Sequence, residues 1–187
     1  QQQEKSGGVT VDNSAAEMHT TIYSISESPK AAGTIWVGTD DGNVQLTRDG
    51  GQNWSNVGES LPKGKGALPK ASWVSWVEAS RHDAATAYAT FDRHTFGDFA
   101  PYLYVTRDHG KTWQPLVTAA NPKGVRGYAH VIKEDTEQPG LLFLGTEFGL
   151  WVSIDGGESW AEFNSEKFPS GAVLDLAVHP RDHDLVL

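Results

Sequence analysis

Three eight-residue stretches follow one pattern: Thr47-Arg48-Asp49-Gly50-Gly51-Gln52-Asn53-Trp54, Thr106-Arg107-Asp108-His109-Gly110-Lys111-Thr112-Trp113 and Ser153-Ile154-Asp155-Gly156-Gly157-Glu158-Ser159-Trp160. Each reads Ser/Thr-x-Asp-x-Gly-x-x-Trp, and each follows a short apolar run. A turn of such fixed chemistry, used three times, demands a repeated supersecondary unit. That requirement limits the fold more than any bulk property of the chain.

The chemistry of the turn explains its composition. A short carboxylate accepts hydrogen bonds from nearby backbone N–H groups and locks a hairpin. Gly51, Gly110 and Gly157 supply a positive φ that other residues resist. Trp54, Trp113 and Trp160 each bring a large apolar surface with one N–H donor, suited to pinning the turn between neighbouring sheets. Asp49, Asp108 and Asp155 are therefore expected to be structural staples rather than acids or bases.

Self-similarity extends on both sides of the turns. Ile35-Trp36-Val37-Gly38-Thr39 matches Leu142-Phe143-Leu144-Gly145-Thr146, and each is followed by a short turn and a second apolar run. The middle copy has Ala87-Tyr88-Ala89-Thr90-Phe91, a longer excursion over 92–100, and then Tyr102-Leu103-Tyr104-Val105-Thr106. A further run precedes each unit, and another starts at each Trp. Four strands per unit, A to D, with the recurrent turn joining C to D, is the pattern of a β-propeller blade. The expected fold is all-β, with four-stranded antiparallel blades at about 19–60, 73–118 and 127–165. Half of a fourth is expected at 171–187. Residues 1–18 are polar, lack a period and read as a linker or the tail of a preceding region.

Propellers close into rings to remove their sheet edges. Three and a half blades leave two edges, and the chain begins at Gln1 rather than Met. The expectation is a piece of a longer protein. Its ring would be completed by further blades of the same precursor, a complementary chain or copies of itself.

A net charge of −9 argues against nucleic acid and anionic membrane surfaces as partners. No apolar run is long enough to cross a bilayer. The absence of cysteine removes disulfides, thiolate nucleophiles and Cys-based metal sites. The seven histidines show no metal-ligand spacing. Neither a metal nor a cofactor is expected.

In a propeller the A–B and C–D turns lie at one end of the ring, and the B–C and D–A loops at the other. Ligands meet the second end by fold-level analogy. Trp73, Arg93, His94, Phe96 and Phe148 fall there and combine aromatic and charged groups as binding loops do. Asp41, Asp92 and Glu147 are the carboxylates available at that end for a glycoside-hydrolase pair. Ordinary turn chemistry also accounts for Asp41 and Glu147.

The three turns resemble the Asp-box, or BNR, repeat. From about Thr20 onward the chain is similar to bacterial glycosyl hydrolase-like and sortilin-like propellers. The segments carrying the likeness are Ile35–Asn43, Leu144–Leu150 and Leu176–Arg181. The resemblance implies a secreted, periplasmic or cell-surface protein that binds a protein, peptide or glycan. It implies a glycoside hydrolase as the alternative, and a scaffold within a larger assembly as a third. The sialidase Arg-Ile-Pro motif is absent.

Overall fold

The computed structural model describes residues 21–64, 66–164, 171–179 and 185–186. The stretch 1–18, read above as a linker, lies outside them. The first sheet holds β1 (Ile22–Glu27), β2 (Ile35–Thr39), β3 (Val44–Thr47) and β4 (Ser55–Asn56). The second holds β5 (Trp73–Ala79), β6 (Ala87–Arg93), β7 (Asp98–Thr106) and β8 (Gln114–Val117). The third holds β9 (Ala129–Glu134), β10 (Leu142–Thr146), β11 (Gly149–Ser153) and β12 (Ala161–Glu162). Each is an antiparallel meander with strands in chain order. A two-stranded sheet follows, β13 (Ala177–Val178) with β14 (Leu185–Val186).

The box turns are built alike. In the first, Thr47 Oγ1 donates to Asp49 Oδ1 at 2.8 Å, and the Gly51 N–H donates to Thr47 Oγ1 at 3.0 Å. Asp49 also accepts from the Asn53 N–H at 2.9 Å and from Asn53 Nδ2 at 2.6 Å. Thr106, Asp108, Gly110 and Thr112 repeat the pattern, as do Ser153, Asp155, Gly157 and Ser159. These bonds favour the charged carboxylate, so Asp49 and Asp108 sit at a pKa of about 2 and Asp155 is also lowered. All three serve as turn staples.

The blades pack face to face through apolar layers. Trp36, Val74, Phe91, Tyr104 and Trp113 fill the first seam. Leu103, Val105, Ile132, Leu144 and Trp151 fill the second. Val131, Leu150, Val173 and Leu176 begin a third. Gly38 permits the closest approach at the first seam, because a Cβ there would lie 2.4 Å from Val74 Cγ1. Glu134 latches the second seam from a buried position. It accepts from Ser80 Oγ at 2.6 Å, the Arg81 N–H at 2.8 Å and Tyr88 Oη at 3.0 Å.

The box tryptophans diverge where the sequence treats them alike. Trp113 is buried and donates to the Val57 carbonyl of the preceding blade at 3.0 Å. Trp54 is 45% exposed and donates to Gly51 in its own turn, so it pins no seam among the described residues. Trp160 packs against the second seam, yet its indole N–H finds no acceptor among the described residues.

The stretch 92–100 departs from the expected loop. β6 continues to Arg93 and β7 starts at Asp98, leaving a single turn of 3-10 helix, His94–Phe96, closed by Gly97 with φ 73°. The insertion is thus a taller hairpin. Pro101 is tolerated inside β7 because β8 pairs only as far as Leu103, leaving the side of Pro101 away from β6 without a strand partner.

Candidate functional site

Backbone bonds separate the two ends of the partial ring. The C–D turns bond to the A–B turns: Gly50 N–H to Gly33 O at 3.0 Å, His109 to Ala85 at 2.9 Å and Gly156 to Gly140 at 2.9 Å. At the opposite end the B–C turns meet the D–A loops. Asp40 N–H donates to Thr21 O at 3.1 Å, and Glu147 N–H to Tyr128 O at 3.2 Å.

Strand register shows which residues recur at that second end. Thr39, Phe91 and Thr146 hold the same B-strand position, opposite Ile22, Val74 and Ala129. One residue further on stand Asp40, Asp92 and Glu147, a carboxylate in every blade. Glu147 therefore corresponds to Asp40, not to Asp41. Each inner strand then carries a bulge at the same place, with Tyr23, Ser75 and His130 as the extra residue. A bulge re-aims side chains. Here it turns Tyr23 and His130 towards neighbouring rings.

The result is a connected aromatic rim across three blades. The ring of Tyr23 lies 5.9 Å from Trp73, and Trp73 meets His94 edge-on at 6.4 Å. His94 stacks on Tyr128 at 4.8 Å. Tyr128 also contacts His130 at 4.8 Å and Phe99 at 6.2 Å. Two carboxylates hold the imidazoles. Asp92 receives His94 Nδ1 at 2.7 and 2.9 Å and the His94 N–H at 2.8 Å. Glu147 receives His130 Nε2 at 3.2 Å. The Tyr128 hydroxyl is pushed up from its ordinary value by partial burial, by its bond to Glu147 and by the charges of Glu147 and Asp92.

The candidates named from sequence divide accordingly. Trp73 and His94 lie within the rim. Phe96 and Phe148 are exposed at the tips of the β6–β7 and β10–β11 hairpins. Arg93 is held against its own hairpin and the loop before β5. Its guanidinium bonds Asp98 at 3.2 Å, Lys70 O at 3.2 Å and Ser72 Oγ at 3.1 Å, and it lies 4.7 Å over Phe96. Asp41 repeats the box chemistry in the β2–β3 turn, accepting from Thr39 Oγ1 and from Asn43 Nδ2 at 2.8 Å. It also borders a cavity of about 360 Å³ with Asn43, Asn56, Glu59, Leu68 and Lys70. Asp92 and Glu147 are brought together through His94, Tyr128 and His130, whereas Asp41 belongs to its own turn.

Tyr23, Phe99, Tyr128 and His130 were missed by sequence reasoning. Tyr128 occupies the repeat position of Trp73, one residue before the strand position shared by Val74 and Ala129, which strand register reveals. The bulge that admits His130 has no local sequence mark. Among the described residues no group of three or more His, Asp or Glu side chains is placed to hold a metal ion, and no helix is long and apolar enough to cross a membrane.

Fold and repeat define the class of this chain: part of a β-propeller built from four-stranded antiparallel blades carrying a Ser/Thr-x-Asp-x-Gly-x-x-Trp turn. Residues 101–187 match the Sortilin-Vps10 family model, described as sortilin, neurotensin receptor 3. The chain is 25% identical over 190 residues to an oligoxyloglucan-reducing end-specific xyloglucanase of Emericella nidulans, covering 83% of this chain and 22% of that protein. It therefore spans about a fifth of the length of that relative. Its fold is similar to the GH74 xyloglucanase of Xanthomonas campestris, with TM-score 0.60 and 15% identity over 83% of this chain and 25% of that one. It is also similar to YCF48 bound to D1 peptide, with TM-score 0.59 and 19% identity over 88% of this chain and 47% of that one.

Proposed function

We propose that this chain is a non-catalytic binding module of a larger secreted propeller protein, and that it presents its B–C/D–A end to a ligand. The observation that carries the reading is the rim Tyr23–Trp73–His94–Tyr128–His130, with Phe99 beside it. Aromatic surface concentrated at one end of a rigid scaffold is what recognition of peptides or glycans uses. The candidate carboxylates argue against hydrolysis. A catalytic pair needs one acid and one base or nucleophile facing a shared cleft. Asp41 is committed to its turn, Asp92 to His94, and Glu147 to His130 and Tyr128.

A hydrolase fragment is the second reading, favoured by the 25% identity to a xyloglucanase. The two separate in one experiment on the full chain, offered a panel of xyloglucan and cellulose oligosaccharides and a peptide library. Binding without cleavage, weakened about tenfold or more by Trp73→Ala or Phe99→Ala, supports the module. Cleavage abolished by Glu147→Gln with the fold intact would replace it with the enzyme. Affinity unchanged in both aromatic variants would remove the rim from function.

A further inference from the structure

Hydrogen-bonding chemistry narrows the ligand of this rim, and the argument rests on the binding reading above. An ionised carboxylate only accepts hydrogen bonds. The ring nitrogens facing Asp92 and Glu147 must therefore carry the protons, Nδ1 in His94 and Nε2 in His130. In the neutral imidazole the nitrogen opposite the donating one is an acceptor. The one cation of the β6–β7 hairpin, Arg93, is held by Asp98 through Nε and by Lys70 O and Ser72 Oγ through Nη1. Charge follows the same direction. Arg93 pairs with Asp98, whereas Asp92 and Glu147 pair with His94 and His130, in a chain of net charge −9. Acceptors, π faces and carboxylates thus coincide at the rim.

A neutral sugar gains nothing from the carboxylates' negative charge. A guanidinium or ammonium group is donor-only, planar or compact, and attracted to aromatic faces. The apolar exposure of Tyr23, Phe99 and Phe148 adds room for apolar neighbours of that cation. We infer that the B–C/D–A rim recognises a peptide segment carrying an Arg or Lys side chain flanked by apolar residues, with the cation set among Trp73, His94, Tyr128 and Phe99.

The test is selection of a random dodecapeptide display library on the full 187-residue chain. One selected peptide is then synthesised with its basic residues kept or replaced by citrulline and norleucine. The expected result is enrichment of Arg and Lys over the unselected library and a loss of about tenfold in affinity on neutral replacement. Affinity should also fall as salt rises and in Phe99→Ala, an exposed position whose loss leaves the core intact. Glu147→Gln keeps the volume of the side chain and should weaken the basic peptide more than its citrulline form. Peptides selected without basic bias, but still lost in Phe99→Ala, would overturn the cation assignment and leave the binding reading standing. A xyloglucan oligosaccharide bound at the rim in place of any basic peptide would do the same. Retention of neither peptide nor oligosaccharide would remove both.

Discussion

The indole of Trp113 reaches across the seam between two blades and donates to the Val57 carbonyl at 3.0 Å. The turn that carries Trp113 thereby reads the position of the blade before it. Ser60 makes the reciprocal link, donating its hydroxyl to the Gly110 carbonyl at 2.6 Å. A box turn therefore has two tasks: closing its own hairpin and registering its blade against the previous one.

Replacing Trp113 by Phe keeps most of the packing but removes one donor from the Val57 carbonyl, which the Ser60 hydroxyl also reaches at 2.8 Å. The expected cost is about 0.5–1.5 kcal/mol. Trp54→Phe loses a bond within an exposed turn and should change stability by about 0.5 kcal/mol or less. Trp160→Phe removes an N–H without an acceptor among the described residues and should cost less than Trp113→Phe. Urea unfolding of the three variants checks the order.

Gly110 and Gly50 separate conformational from steric demand. Both have positive φ, 76° and 70°. A Cβ at Gly110 would lie 2.5 Å from Val57 Cβ, whereas nothing stands within 4 Å of one at Gly50. Gly50→Ala should cost about 1–2 kcal/mol for the left-handed backbone alone. Gly110→Ala adds roughly 1–3 kcal/mol of overpacking at the seam. Equal losses by chemical denaturation would refute the steric part.

Acid should loosen the box turns in a defined window. Asp49 and Asp108 are lowered from 3.8 to about 2, chiefly by side-chain and backbone bonds from Asn53 and Thr112. A lowered carboxylate stabilises the fold above its unfolded pKa, and that contribution fades as pH falls through the folded value. The turns should hold from neutrality to near pH 4 and weaken between about 4 and 2. Carboxylate chemical shifts followed by NMR would report it. Titration of Asp49 near 3.8 would show that the bonds to Asn53 do not persist in solution.

Much of the architecture was legible in the residues. Three box turns, with apolar runs at matching offsets, led to four-stranded blades with the strands in chain order. The same reasoning failed at 92–100, where charged residues between aromatics look like a loop. There Phe91 opposite Tyr102 and Arg93 opposite Asp98 carry the ladder onward. Strand register alone tells that Asp40, rather than the adjacent Asp41, shares the repeat position of Glu147.

The candidate site was legible by end and not by membership. Trp73 and His94 lie beside the B–C and D–A loops, in contact with Tyr23 and Tyr128 that residue type did not single out. Arg93 bonds to Asp98 and to the loop before β5.

Local chemistry determined the turns, because Asp, Gly and their Ser, Thr or Asn partners lie within a few residues and close the same bonds in every copy. What each copy does for the molecule was decided between blades. Trp54, Trp113 and Trp160 share one motif yet differ in burial and bonding, since their surroundings come from segments distant in the chain. The rim has the same origin. Tyr23, Trp73, His94, Tyr128 and His130 are spread over more than a hundred residues, and only the stacking of blades and a bulge at one register position bring their rings into contact.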